Sequence, residues 1–240
     1  MTRIRILAAA VLGLTTGIAG ATTTTFDNGI EGWGVFFDND GFLGDFLESE
    51  GGNAGAHLRW QMIDTFGMTL RNETNLDFLG DYARFGGPVR IGLDMQVHEI
   101  TFWGSDVERN LIVQLVDYDD QGGPDVSVWY NLGEISAALT SDWTKFEVVI
   151  DDPTAAALPA GWGGTGDEDE FGAPFLPAHR TFASVLANVD EIRFTTYEPG
   201  WFYGFTNFHV RFDNPSVALV PEPATLGLLA GLGLVALRRR

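Results

Sequence analysis

The sequence predicts an all-β fold, a jelly-roll β-sandwich with one short helix, and three observations predict it. Several runs alternate apolar and polar residues with period two, the mark of a half-buried strand. Clusters of Gly, Pro, Asn and Asp separate these runs, as in Gln121-Gly-Gly-Pro124 and Asp213-Asn-Pro215. Thirty Gly and ten Pro in 240 residues supply the turns that many short strands need. A core is affordable, since 45% of residues are hydrophobic and 18 Phe and 7 Trp are among them.

In chain order, residues 1–21 read as a signal peptide. Arg3 and Arg5 precede the mostly apolar run Ile6 to Ile18, and Ala19-Gly20-Ala21 offers small residues to signal peptidase. One domain follows over residues 22–219, with no repeat and no linker. Asp27-Asn28-Gly29 opens it, and Trp33 is expected in the core. His57 to Met62 alternates. Val89 to His98 does so strictly, with Val89, Ile91, Leu93, Met95 and Val97 on one side. Leu111 to Val116 is nearly continuous apolar, as a central strand is, and Trp143 to Ile150 puts Phe146, Val148 and Ile150 on one face. Leu158 to Pro177 reads as a long loop rich in Gly, Pro and acids. Thr181 to Ala187 is the helix, with Phe182, Val185 and Leu186 at helical spacing and Thr181 as its N-cap. Glu191 to Thr196 and Asn207 to Phe212 alternate again, with Phe208, Val210 and Phe212 inward.

The charge is lopsided. The chain has 14 Lys and Arg against 33 Asp and Glu, and five of those bases but only one of those acids lie in the two end segments. The domain between them therefore repels nucleic acid and anionic lipid, and it tolerates cations and neutral polymers. There is no Cys, which excludes disulfides, thiolate metal sites and thiol nucleophiles.

Candidate chemistry is sparse. The histidines His57, His98, His179 and His209 form no close metal-binding pair, and His57, His98 and His209 fall on the outward phase of strands. Neither a Gly-x-Ser-x-Gly elbow nor a phosphate-binding Gly loop occurs. A structural Ca²⁺, which takes oxygen ligands, is expected where Asp27 and Asp213 meet at the two ends of the domain. Sugar binding needs exposed aromatic faces, because the CH groups of a pyranose stack on them. Trp162, Trp201 and Tyr203, set among Gly, Pro and acidic residues, are the candidates.

The last 21 residues carry a more specific signal. Thr225 to Leu237 is apolar but shorter than the ~20 residues of an ideal spanning helix, and Arg238 to Arg240 would stay cytoplasmic. Pro221-Glu222-Pro223, this apolar stretch and the terminal Arg cluster together resemble the PEP-CTERM sorting signal. The resemblance implies recognition of Pro221, Glu222 and Pro223 by an exosortase, with a short transmembrane helix holding the chain in the membrane before processing. It also implies a destination in the cell envelope, at the cell surface or in the extracellular matrix of a Gram-negative bacterium that makes extracellular polysaccharide.

A second resemblance concerns the domain. Leu76-Asp-Phe-Leu-Gly-Asp81 leading into the strand from Val89 is similar to the opening of the laminin B (laminin IV type A) domain. Phe182 to Leu186, Val189 to Phe194 and Val210 to Val217 follow the order of that family's closing helix and strands. The likeness runs from Trp60 to Val217 and implies a non-catalytic extracellular jelly roll. Three functions fit these readings: a non-enzymatic domain that binds or supports extracellular polysaccharide, a polysaccharide hydrolase using a surface carboxylate pair, or a purely structural matrix protein.

Overall fold

The structure, a computed structural model, describes residues 21–37, 41–42, 46–118 and 125–221. The signal helix and the C-terminal membrane helix expected from the sequence lie outside these residues. Among the described residues no helix is long and apolar enough to cross a membrane.

The chain forms a jelly-roll β-sandwich. Its first half holds β1 (Thr22–Thr23), β2 (Trp33–Phe37), β3 (Gly41–Phe42), β4 (Phe46–Gly52), β5 (Gly55–Thr65), β6 (Thr69–Asn72), β7 (Val89–Phe102) and β8 (Ser105–Asp106). Its second half holds β9 (Arg109–Asp117), β10 (Val126–Ile135), β11 (Thr144–Ile150), β12 (Trp162–Thr165), β13 (Asp167–Glu168), β14 (Pro174–Phe175), α1 (Phe182–Leu186), β15 (Glu191–Thr195) and β16 (Thr206–Leu219). The first sheet has the order β11-β7-β16-β5-β4, with β1 beside β16 and β8 beside β7. The second has the order β12-β10-β9-β15-β6-β2-β3. All pairings are antiparallel, so one face of each sheet is free to be apolar and the other polar.

The apolar phases meet between the sheets. Val89, Ile91, Leu93, Met95 and Val97 of β7 and Phe208, Val210 and Phe212 of β16 are buried there, as the alternation requires. Trp33 packs edge-on against Phe78 with ring centres 5.0 Å apart, and Trp60 lies 5.7 Å from Phe208. Pro215 sits inside β16, where the register shifts between Asp213 and Ser216. A strand proline is tolerated at such a bulge, because no ladder hydrogen bond is asked of it. At α1 the Thr181 hydroxyl accepts from Ser184 N, and Ser184 Oγ accepts in return from Thr181 N, a complete capping box.

Two expectations need correction. The segment Leu158 to Pro177 is not one long loop, since it contributes edge strand β12 to the second sheet and then the β13–β14 hairpin. His57 does point outward, yet it is fully buried. Glu48 Oε2 lies 3.0 Å from its Nε2, and the Trp143 ring stands edge-on at 5.8 Å. Burial and the charge of Arg211 lower the His57 pKa against the pull of Glu48, so this imidazole is a neutral packing group.

Candidate functional site

The outer face of the second sheet carries polar side chains that an open face would leave in water. Strand register aligns Gly163, Trp129, Gln114, Arg193, Arg71 and Gly34 in one row across six neighbouring strands. With strands 4.7–4.9 Å apart, the row spans about 24 Å. A parallel row, Thr165, Ser127, Val116 and Glu191, runs beside it.

Trp129 is half-buried and lies across edge strand β12. A Cβ built on Gly163 would stand 2.3–2.6 Å from its indole atoms, so only glycine lets the ring lie against the backbone there. The indole N–H is buried and has no hydrogen-bond acceptor. Beside it, Gln114 Nε2 donates to Ser127 Oγ at 2.7 Å, and Ser127 Oγ is 2.7 Å from Thr165 Oγ1.

The other half of the floor is an ion network. Glu191 is 0% exposed although its phase points outward. It accepts from Arg193 Nε and Nη2 at 2.5 and 2.8 Å and from the Tyr118 hydroxyl, with Arg71 3.8 Å away. Burial opposes the Arg193 charge, but the hydrogen bonds and charge of Glu191 outweigh it and hold the guanidinium above its ordinary pKa. Burial first, and then Glu191, push the Tyr118 phenol up, so it stays a proton donor at neutral pH.

Two loops make walls over this floor. The chain after β15 folds back over the face, anchored by Asn110 Nδ2 donating to Glu198 Oε2 at 2.6 Å. From the other side comes the β13–β14 hairpin, and a Cβ on Gly200 would lie 2.9 Å from Pro174. Between them opens a cavity of about 550 Å³ lined by Asp125, Thr165, Gly166, Asp167, Glu168, Pro174, Pro199 and Gly200. The cavity has an acidic rim, and through Thr165 it adjoins the hydrogen-bonded Ser127 and Gln114 beside Trp129.

The residues singled out from the sequence fall in three places. Trp162 is a correction: it is 8% exposed, sits in β12 rather than a loop, and packs 5.1 Å from Phe182 and 5.5 Å from Tyr130. Trp201 is 70% exposed in the loop that walls the cleft. Tyr203 braces that loop, with the Arg109 guanidinium 4.7 Å over its ring and its hydroxyl 3.4 Å from Glu198.

Asp27 and Asp213 do come together, because β1 pairs with β16 at the end of the domain. Both carboxylates turn to the chain at residues 53–56, where Asp27 Oδ1 accepts from Ala56 N and Asp213 Oδ2 from Asn53 N. Among the described residues no group of three or more His, Cys, Asp or Glu is placed to hold a metal ion. Of Pro221, Glu222 and Pro223 only Pro221 lies within the described residues, exposed just after β16.

No protein-family model and no curated protein matches the sequence. Solved structures do match. One is the family 11 carbohydrate-binding module from Clostridium thermocellum in complex with a β-1,3-1,4-mixed-linked tetrasaccharide. Identity to it is 15%, the TM-score is 0.50, and the match covers 85% of this chain and 98% of that one. Another is the family 11 module of the cellulosomal cellulase Lic26A-Cel5E of Clostridium thermocellum, at 14% identity and a TM-score of 0.51, covering 85% and 96%. At these identities the likeness is one of fold: the chain shares the jelly-roll sandwich of these modules.

Proposed function

We propose that this protein is a non-catalytic polysaccharide-binding module, with the sugar chain lying along the outer face of the second sheet. One observation carries the reading: the Trp129 indole, set against Gly163, continues into the row of Gln114 and Arg193. Sugar rings offer an apolar CH face and a rim of hydroxyls, and this row offers the complement of both. The family 11 module solved with a mixed-linked tetrasaccharide supports the ligand class. The acidic rim favours an uncharged chain over an anionic one. Hydrolysis is the weaker reading, because Glu191, the carboxylate in this floor, is fully buried and tied to Arg193 and Tyr118 rather than turned to a substrate.

Isothermal titration of the mature chain against mixed-linked β-glucan, xylan and dextran tests the proposal. Trp129→Ala is expected to weaken binding about tenfold, since aromatic stacking contributes about 0.5–1.5 kcal/mol beyond its buried area and tenfold is 1.4 kcal/mol. Wild-type affinity in that variant would remove the cleft from the function.

The termini supply the address. The signal peptide and the Pro221-Glu222-Pro223 tail support export, exosortase processing and residence at the cell surface or in the extracellular matrix. Mass spectrometry of the surface form checks this: it is expected to lack Arg238, Arg239 and Arg240, and an intact Arg run would contradict exosortase cleavage.

A further inference from the structure

A second groove lies at the end of the sandwich where β16 begins. Its volume is about 660 Å³. Trp103 and Phe102 form one side, Phe205 the other and Gly204 part of the base, with Asp64 and Asn207 as the polar groups. Trp103 is 91% exposed and Phe205 53%. Phe66 stacks 4.3 Å from Phe205 and holds that ring in place.

The Trp103 backbone is what makes this groove more than an accident of exposure. Trp103 and Gly104 have φ of 53° and 76°, the two left-handed positions of a tight hairpin turn between β7 and β8. Asn, Asp or Gly suit the first of these positions; a bulky side chain there is an outlier. The chain thus holds an indole at a strained apex, fully in water, where a small polar residue would fold better. Strain of this kind collects at sites of contact.

We infer that this groove is a second site for a neutral polysaccharide, separate from the cleft. Both sides carry aromatic side chains. Asn207 Oδ1 accepts from Asp64 N at 3.1 Å, which leaves the Asn207 amide N–H groups and the Asp64 carboxylate to meet hydroxyls. The other occupants fit poorly. β16 is 14 residues long, so the chain leaves the domain at Leu219 about 45 Å from the groove. The apolar C-terminal sequence follows from that far end. A second copy would set Asp64 against its own counterpart on a chain of net charge −19. The ligand class rests on the proposal above, whereas the groove and its residues do not.

Two sites at separate places on one domain would let one molecule bridge two polysaccharide chains. The experiment titrates the mature full chain with mixed-linked β-glucan oligosaccharide, with dextran and xylan oligosaccharides in parallel, and reads stoichiometry and tryptophan fluorescence. The wild type is expected to show two sites. Trp103→Ala is expected to lose one of them, with affinity there down about tenfold, and Trp129→Ala the other. Trp103→Asn is the control for folding: it is expected to lose the same site while raising the urea midpoint, because Asn relieves the turn. A wild-type titration in Trp103→Ala would overturn this inference and leave the cleft standing. Binding that survives Trp129→Ala intact but vanishes with Trp103→Ala would keep the groove and remove the cleft. No binding of any of the three sugars by the wild type would overturn both.

Discussion

Replacing Glu191 with Ala is expected to lower the stability of the domain by about 3 kcal/mol, read from urea unfolding, or a fall in Tm of about 6–12 °C. The carboxylate is 0% exposed and receives Arg193 through two bonds, the Tyr118 hydroxyl and the nearby charge of Arg71. Removing it leaves the Arg193 guanidinium without its carboxylate, while Arg71 keeps Glu73 at 3.9 Å. Breaking a buried pair costs about 3–5 kcal/mol; the lower figure applies because the side chains of Arg193 and Arg71 keep 17% and 14% of their surface in water. Glu191→Gln should recover part of the loss, since it still accepts hydrogen bonds but carries no charge. The same variants should weaken sugar binding, because Arg193 would lose the bonds that orient it beside Gln114. A change below 1 kcal/mol in Glu191→Ala would mean that the network relaxes into solvent and that the floor of the cleft is not preorganised.

That network shows what the sequence could and could not convey. The alternation in β7, β15 and β16 is a local signal, and it placed Val89 to Val97, Ile192, Phe194 and Phe208 to Phe212 in the core. The cap at Thr181 is equally local, and both halves of its capping box are present. The same alternation marked Glu191 and Arg193 as outward, which is correct for phase and misleading for burial. Glu191 is enclosed by side chains the strand pattern does not see: Tyr118 and Arg71, both distant in sequence, and Arg193 close in on its carboxylate. β12 escaped notice for a different reason. Its sequence Trp162-Gly-Gly-Thr165 has two glycines, which carry no side chain to show a period and read as loop. Those glycines are there for their neighbours: Gly163 clears the Trp129 ring and Gly164 clears Leu176. Trp162 therefore reads as a loop residue while it packs on α1, and Trp129 stands on β10, a strand the pattern does not reveal.

At the opposite sheet, stability is expected to fall as pH rises from about 4 to about 6, and the cause is Asp213. Its carboxyl is fully buried at the bulge of β16. Burial raises its pKa to about 6; the backbone amides of Asn53 and Asn214 oppose the shift, and the charges of Asp94 and Asp27 add to it. In the unfolded chain an Asp titrates near 3.9. Between these two values the native state holds a proton that the unfolded chain has released, so deprotonation favours unfolding as pH increases. A shift of about two units amounts to about 3 kcal/mol, present as added stability below pH 4 and lost above pH 6. Other carboxylates contribute their own slopes, so the clean measurement is a difference. The urea-unfolding free energy of Asp213→Asn minus that of the wild type should rise by about 3 kcal/mol between pH 4 and pH 7. A flat difference would show that Asp213 ionises as it does in the unfolded chain. Repeating the titration with millimolar CaCl₂ separates the two readings of this cluster. A cation bound by Asp27 and Asp213 would hold both ionised and erase the slope, whereas carboxylates that serve only to anchor the chain at Asn53 and Ala56 would leave it unchanged.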